Sequence, residues 1–250
     1  VEITYKKSSE GGEILNAVKN TNTLNFGEAL GTVTETEGFD DSDADVLEDG
    51  RFDNDISDED YEQTLTLSNG AFNYALRDDV EGIEEIADGL YYDSGDIFAS
   101  YEFKLDSSID LSASGFADNL IGKELEIMGN EFTIAQVTAD GSDDLDKLTL
   151  VGGSNKVALG EGETTTVSVE GVSYEIEVLS VSSGEVLMTV NGQSITIDEF
   201  DTEDVGAVSI AVTELVTSSR DSVKGYAEIV VGGQKVTLEN GNIEINDEEI

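Results

Sequence analysis

Apolar and polar residues alternate in short runs along most of this chain, and the alternation is sharpest after Leu120. In "KELEIMGNEFTIAQVT" Leu125 and Ile127 fall on one side of a strand and Glu124 and Glu126 on the other. Gly129-Asn130 predicts the turn, after which Phe132 and Ile134 return on the buried side. "DKLTLVGG" reads as a further strand, and "TTTVSVEGVSYEIEVLSV" sets Tyr174, Ile176 and Val178 inward against Glu175 and Glu177. "EVLMTVNGQSITI" turns at Asn191-Gly192, "VSIAVTELV" follows, and "YAEIVVGGQKVTLENGNIEI" predicts two more turns at Gly232-Gly233 and Asn240-Gly241.

The first half is less regular. "VEITY" and "IFASYEFKL" (97–105) read as strands, as does "YEQTLTLS" (61–68), with "GAFNYAL" following it within turn distance. "GGEILNAVKN" is a weak helical turn. Val80, Ile83 and Ile86 predict one short helix over 78–89. Strands of this length, separated by turns and with little helix, predict an all-β, mostly antiparallel protein of two β-sandwich (Ig-like) domains. The small-residue stretch "SASGFADN" (112–119) divides an acidic N-terminal mixed β domain (1–118) from a β-sandwich domain (119–250). The closing hairpin, 226–246, is expected either to pack elsewhere or to belong to a longer chain. No signal peptide is visible and Val1 is no initiator Met, so the chain reads as a mature form or a fragment continuing past Ile250.

Charge changes the picture more than any motif. Asp and Glu number 56 against 12 Lys plus Arg, a net charge of −44. Phosphate binding needs clustered basic residues, so nucleic acid is excluded as a direct partner and an anionic membrane surface is disfavoured. No run of 18 apolar residues exists to span a bilayer. A compact chain of this mass exposes about 10,700 Å² by the usual scaling, so the net charges lie about 15 Å apart. That exceeds the screening length of about 8 Å at physiological salt, and the average density is tolerable. Residues 35–62 are denser, with fourteen carboxylates and one Arg. Neighbours about 6 Å apart in water repel by about 0.7 kcal/mol before screening. The chain therefore either lives in high salt or gathers cations along its acidic loops.

Within "FDDSDADVLEDGRFDNDISDED" (39–60) the candidate cation ligands are Asp40, Asp41, Asp43, Asp45, Asp53, Asp55, Asp58 and Asp60. An EF-hand register starting at Asp41 puts Val46 where Gly is required and Phe52 where the bidentate Glu belongs, so this is no EF-hand. A non-EF calcium loop and diffuse cation attraction both stay open, the ion being non-catalytic in either case. "ADGSDDLDK" (139–147) is a second candidate of the same kind. Without His or Cys the usual zinc sites, His triads and thiolate nucleophiles are absent. Asp93-Ser94-Gly95 resembles an aspartic-protease triplet but has no second triplet with which to share a proton. "GEGE" (160–163) precedes a strand and reads as a turn, not a phosphate cradle. An enzyme is not expected.

"DNLIGKELEIMGNEFTIAQV", then "DKLTLVGGS", then "AEIVVGGQKVTLENGNIEINDEEI", resembles archaeal surface-layer (S-layer) proteins. Leu120 to Gly153 fits an arrangement L-x-G-K-x-x-x-I-x-G-x-x-Y/F-T-I followed by K-L-T-L-x-G-G, and the resemblance covers about residues 60–250. It implies an extracellular structural protein of the archaeal cell surface, a self-associating lattice of β-sandwich domains with no catalytic residues. Two features depart from that family: no Asn-x-Ser/Thr sequon occurs here, and its members are much longer. Two alternatives remain: a secreted adhesion or ligand-binding β-sandwich module of a halophile, and an acidic halophile enzyme.

Overall fold

The computed structural model describes residues 38–53, 58–67, 73–77, 87–91, 99–112, 115–140, 144–217, 224–239 and 241–249. The protein is almost wholly antiparallel β, as the alternation predicts. Among the described residues the helical content is one 3-10 turn, Asp45–Leu47, and one short helix, α1 (Phe116–Leu120). None is long and apolar enough to cross a membrane, which says nothing of strands. The chain forms two compact units: Val1–Gly50 with Asp60–Asp106, and Arg51–Glu59 with Ser107–Ile250. The readings made for residues 1–37 lie outside the described residues.

In the first half of the chain β1 (Gly50–Asp53), β2 (Asp58–Leu67) and β5 (Ala99–Leu105) form one sheet in the order β1-β2-β5. β2 starts three residues earlier than the alternation at 61–68 suggests, inside the acidic stretch. β3 (Asn73–Arg77) and β4 (Ala87–Tyr91) form a separate ribbon, so "GAFNYAL" pairs forward with β4 and not back with β2. Of the helix expected over 78–89, residues 78–86 lie outside the described residues. Ala87, Asp88 and Gly89 are strand, opposite Arg77, Leu76 and Ala75.

The second unit holds most of the core. One sheet is β10 (Thr164–Val169), β11 (Val172–Val181), β12 (Glu185–Val190) and β13 (Gln193–Asp198), in that order. A second runs β14 (Thr202–Val205), β15 (Val208–Val216), β16 (Tyr226–Gly232) and β9 (Asn155–Gly160). A third, of six strands, runs β19 (Glu248–Glu249), β18 (Asn242–Ile245), β17 (Gln234–Glu239), β8 (Leu145–Gly152), β7 (Asn130–Ala139) and β6 (Glu124–Ile127). The middle sheet is covered on both faces. Val208, Ile210 and Val212 of β15 and Ala227, Ile229 and Val231 of β16 join Ile176, Val178, Val186 and Met188 of the first sheet in one core. The alternate residues Ala211 and Val230 pack on Ala135 and Val151 of the third sheet. The arrangement is therefore three β layers, a sandwich extended by one sheet.

Sequence explains this layering. In "VSIAVTELV" every residue from Val208 to Thr213 is buried, the small polar Ser209 standing among the apolar Val208, Ile210, Ala211 and Val212, which is the pattern of a strand covered on both faces. β11 and β12 alternate instead, because their outer faces meet water. Fully burying each Ile, Val or Met of the larger core is worth about 1.5–3 kcal/mol. The second interface is thinner and built from small side chains. There the backbone itself comes close: a Cβ on Gly232 would lie 2.5 Å from the carbonyl oxygen of Gly152 and from Val151 Cγ1.

Turn chemistry accounts for the remaining connections. Asn191-Gly192 is a two-residue turn with φ of 49° and 81°, closing Val190 against Gln193 as predicted. The β6–β7 turn is shifted by one residue from the expected Gly129-Asn130. Ile127 pairs with Asn130, leaving Met128 and Gly129 as the turn with φ of 51° and 72°. Asn130 closes the ladder, and its Nδ2 donates back to the Met128 carbonyl at 3.1 Å. Gly232-Gly233 is not a hairpin. β16 pairs with β15 and β9, whereas β17 pairs with β8 and β18, so the glycines carry the chain from the middle sheet to the third. The expected hairpin 226–246 is thus split between two layers. Asn240 lies outside the described residues, but Glu239 and Asn242 pair on either side of the predicted turn.

Gly232→Ala tests this crossover. Overpacking against fixed backbone should destabilise the protein by about 1–3 kcal/mol, read as a lower urea midpoint with unchanged slope. An unchanged midpoint would mean that the two layers stand further apart.

Candidate functional site

The acidic stretch is anchored by its few apolar residues. Phe39, Ala44 and Leu47 are buried together, with Leu65, Leu67 and Tyr101 packed around them. Phe39 exchanges backbone hydrogen bonds with Leu65, its N–H at 2.8 Å and its carbonyl at 2.9 Å. Gln63, 1% exposed, ties the far end down. Its Nε2 donates to the Glu48 carbonyl at 2.6 Å, and its Oε1 accepts from the Tyr101 hydroxyl at 2.6 Å. Burial, and secondarily the charge of Tyr61, pushes the Tyr101 phenol up to about 12.

Among the described residues the predicted ligands form no group of three. Asp40 uses its Oδ1 in a local turn, accepting from the Ser42 N–H at 3.0 Å and the Ser42 hydroxyl at 2.6 Å. Asp43 Oδ2 accepts from the Asp40 N–H at 3.4 Å, and the Asp60 carbonyl accepts from the Asp106 N–H at 2.9 Å. Asp41 and Asp45 are exposed on the same loop, and Asp55 lies outside the described residues. Asp53 and Asp58 do come together. They share a hydrogen bond that raises Asp53 and lowers Asp58, and Arg51 pairs with Asp58 on its other side. The guanidinium of Arg51 offsets part of the charge of the pair. Among the described residues no group of three or more acidic side chains is arranged to hold a metal ion. In the second candidate loop Asp140 Oδ1 accepts from the Asp144 N–H at 3.1 Å, and residues 141–143 lie outside the described residues. The Asp93-Ser94-Gly95 triplet lies outside them too. "GEGE" is a turn, in which Glu163 Oε2 accepts from the Gly160 N–H at 2.9 Å.

A feature that the motifs did not reveal is a cleft of about 520 Å³ in the second unit. Ile121, Gly122, Lys123, Lys156, Phe200 and Leu215 line it together with Thr213 and three glutamates, Glu199, Glu214 and Glu228. Lys156 Nζ reaches Glu228 Oε1 at 2.8 Å and the Gly122 carbonyl at 3.3 Å. Thr213 Oγ1 donates to the same Glu228 oxygen at 2.8 Å. Glu199 Oε1 accepts from the Leu215 N–H at 2.9 Å. Phe200 holds φ of 66°, a left-handed backbone rare for a bulky residue. Two ammonium groups, three carboxylates and one aromatic ring suit a small polar ligand better than an ion. No spacing in the sequence could have announced them, since they come from five separate segments.

A second cluster centres on Lys235, the one charged residue that is buried among the described residues, 8% exposed. Its Nζ stands 2.5 Å from Asp204 Oδ2 and 2.9 Å from Asp247 Oδ1. The Ser209 hydroxyl donates to Asp204 Oδ1 at 2.5 Å. Burial alone would raise the Asp204 carboxyl, but hydrogen bonds from Lys235 and Ser209 outweigh it and hold the group below its ordinary range. Burial likewise works to lower Lys235, and its two carboxylate partners raise it instead.

No family model matches this chain, no curated protein matches it, and no solved structure matches it.

Tyr101 sets an alkaline limit. Below its ordinary value near 10 both folded and unfolded chains keep the phenol protonated, and stability is complete. As pH rises from about 10 toward about 12 the unfolded chain ionises first, so stability falls. Phenolate absorbance should show a late-titrating component that is lost in Tyr101→Phe, together with that part of the alkaline loss. Gln63→Ala strands the Glu48 carbonyl and should cost about 1–3 kcal/mol in urea unfolding. No change there would detach the acidic loop from β2.

Proposed function

We propose that this chain is a structural component of a cell-surface layer, assembling with copies of itself while cations screen or bridge its acidic faces. The observation that carries this reading is the three-layer β body of the second unit. Among the described residues its buried interior holds no carboxylate, and Lys235 is the one charged residue there. Such a slab resists bending and presents broad sheet faces for packing. The likeness of Leu120–Gly153 to archaeal surface-layer sequences supports the same reading, and an extracellular position goes with it. The role of the ions is collective on this account, because the carboxylates of 40–60 act as a charged field instead of a coordination sphere. We further read the protein as non-catalytic. Its carboxyl pair of split affinity, Asp53 and Asp58, stands in open solvent and not in the cleft.

A second reading, a secreted adhesion or ligand-binding module, is favoured by one observation: the cleft beside Phe200. A left-handed aromatic in a polar pocket is the kind of local strain that accompanies ligand clamps.

Light scattering across a salt series distinguishes the two. A layer component should stay dispersed in low salt, where repulsion is unscreened, and should form large assemblies as salt approaches about 1 M or as calcium is added. A chain that remains monomeric through both series would overturn the layer reading and leave the binding module.

A further inference from the structure

We propose that Lys235 and Asp204 condense into an intramolecular amide bond that stitches β17 of the third sheet to β14 of the middle sheet. The parts of such a reaction are already in place. Lys235 Nζ is the nucleophile, 2.5 Å from one oxygen of the Asp204 carboxyl. The other oxygen, Oδ1, accepts from the Ser209 hydroxyl at 2.5 Å, so a donor already faces the atom that becomes negative when nitrogen attacks Cγ. Asp247 Oδ1, 2.9 Å from the same Nζ, is a second carboxylate positioned to take a proton from the ammonium and deliver it to the leaving oxygen. Asp204 comes from β14, Ser209 from β15, Lys235 from β17 and Asp247 from the β18–β19 turn. The fold thus collects four reacting groups from four places in one unit.

The step balances without an oxidant, a reductant or a further reactant. Nζ forms a bond to Asp204 Cγ, the Cγ–Oδ2 bond breaks, and the two protons lost by the ammonium leave with Oδ2 as one water. Oδ1 becomes the amide oxygen and keeps its bond from Ser209. In the starting pair both groups are charged, and the neutral amine and acid that react are a minor form. A bond made once in the life of a chain needs only one productive passage through that form, and fixed geometry supplies effective concentrations of about 10⁵–10⁸ M. Asp247 is largely exposed, which gives the released water a way out. Lys235 itself is only 10% exposed at its side chain, which keeps bulk water from the nitrogen.

Intact mass of the whole chain under denaturing conditions tests the proposal. The expected mass is below that of the sequence by one water, and a digest should give one branched peptide carrying both Asp204 and Lys235. Lys235→Arg keeps a positive charge between the two carboxylates but offers a guanidinium that does not condense, so its mass should equal its sequence. A wild-type chain at full sequence mass, its Lys235 amine open to acylation after unfolding, would overturn the proposal. So would a loss of water that persists in Lys235→Arg, since that dehydration lies elsewhere.

Discussion

Burial of both faces of β15 and β16 is the constraint on which the second unit depends. A sheet with one wet face can tolerate alternation; a sheet covered twice cannot, and every residue from Val208 to Val212 must be apolar or small. The two faces are not equivalent. The one toward β10–β13 carries Ile210, Val212, Ile229 and Val231 and meets equally large partners. The one toward β7 and β8 carries Ala211 and Val230 against Ala135 and Val151, so the layers close to nearly backbone distance. That closeness fixes Gly232, where a methyl would run into the Gly152 backbone. Gly152 answers to its own sheet, where a methyl would meet the ring of its cross-strand partner Phe132 at 2.5 Å. Close packing of this kind makes the layers one mechanical body, because interiors at crystal-like density transmit strain and do not absorb it.

The acidic surface follows a different logic. Carboxylates at Asp40, Asp110, Asp140 and Glu163 each accept from a backbone N–H within a few residues. These bonds define turns without Pro, of which the chain has none. Where two carboxyls are brought together, as at Asp53 with Asp58 or Glu124 with Glu131, a hydrogen bond between them raises one member. Repulsion is thereby reduced locally, and the rest is left to the ions of the medium. A metal centre asks for the opposite: carboxylates that are unprotonated and free of one another.

Much of the fold was legible in the sequence, and the failures have physical causes. Alternation placed Ile176 and Val178 of β11 inward and Glu175 and Glu177 outward, as found, since period two is unambiguous when one face is wet. Asn191-Gly192 was readable because both positions need positive φ, which that dipeptide tolerates best. Gly232-Gly233 has the same local chemistry and means something else: a glycine pair serves a tight turn or a close backbone approach equally well, and only the third sheet decides which. Asn246-Asp247 forms a left-handed turn with no Gly at all, φ 50° and 65°, and gave no comparable cue. Three layers could not be read because stacking of sheets is a long-range fact. The acidic stretch was misleading in another way. Its abundant Asp drew attention, yet its spatial arrangement was set by Phe39, Ala44 and Leu47, four residues hidden among the charges if Phe52, 1% exposed, is counted with them. The cleft and the Lys235 cluster, assembled from distant segments, had no sequence pattern to find.

The placement of positive charge is informative in a chain that has so little of it. Exposed pairs such as Arg51 with Asp58 weaken as salt rises, because the screening length at about 1 M shrinks to about 3 Å. Lys235 is removed from that competition. Its side chain is only 10% exposed where β17 meets β14, so solvent screens its attraction to Asp204 less than it screens a fully exposed pair. Removing one partner from such a site leaves a charge stranded indoors, which is far more damaging than losing a surface contact. A protein whose outside is surrendered to the ionic medium therefore holds the junction of these two layers through a largely buried lysine and its carboxylate, the pair from which the proposed amide forms.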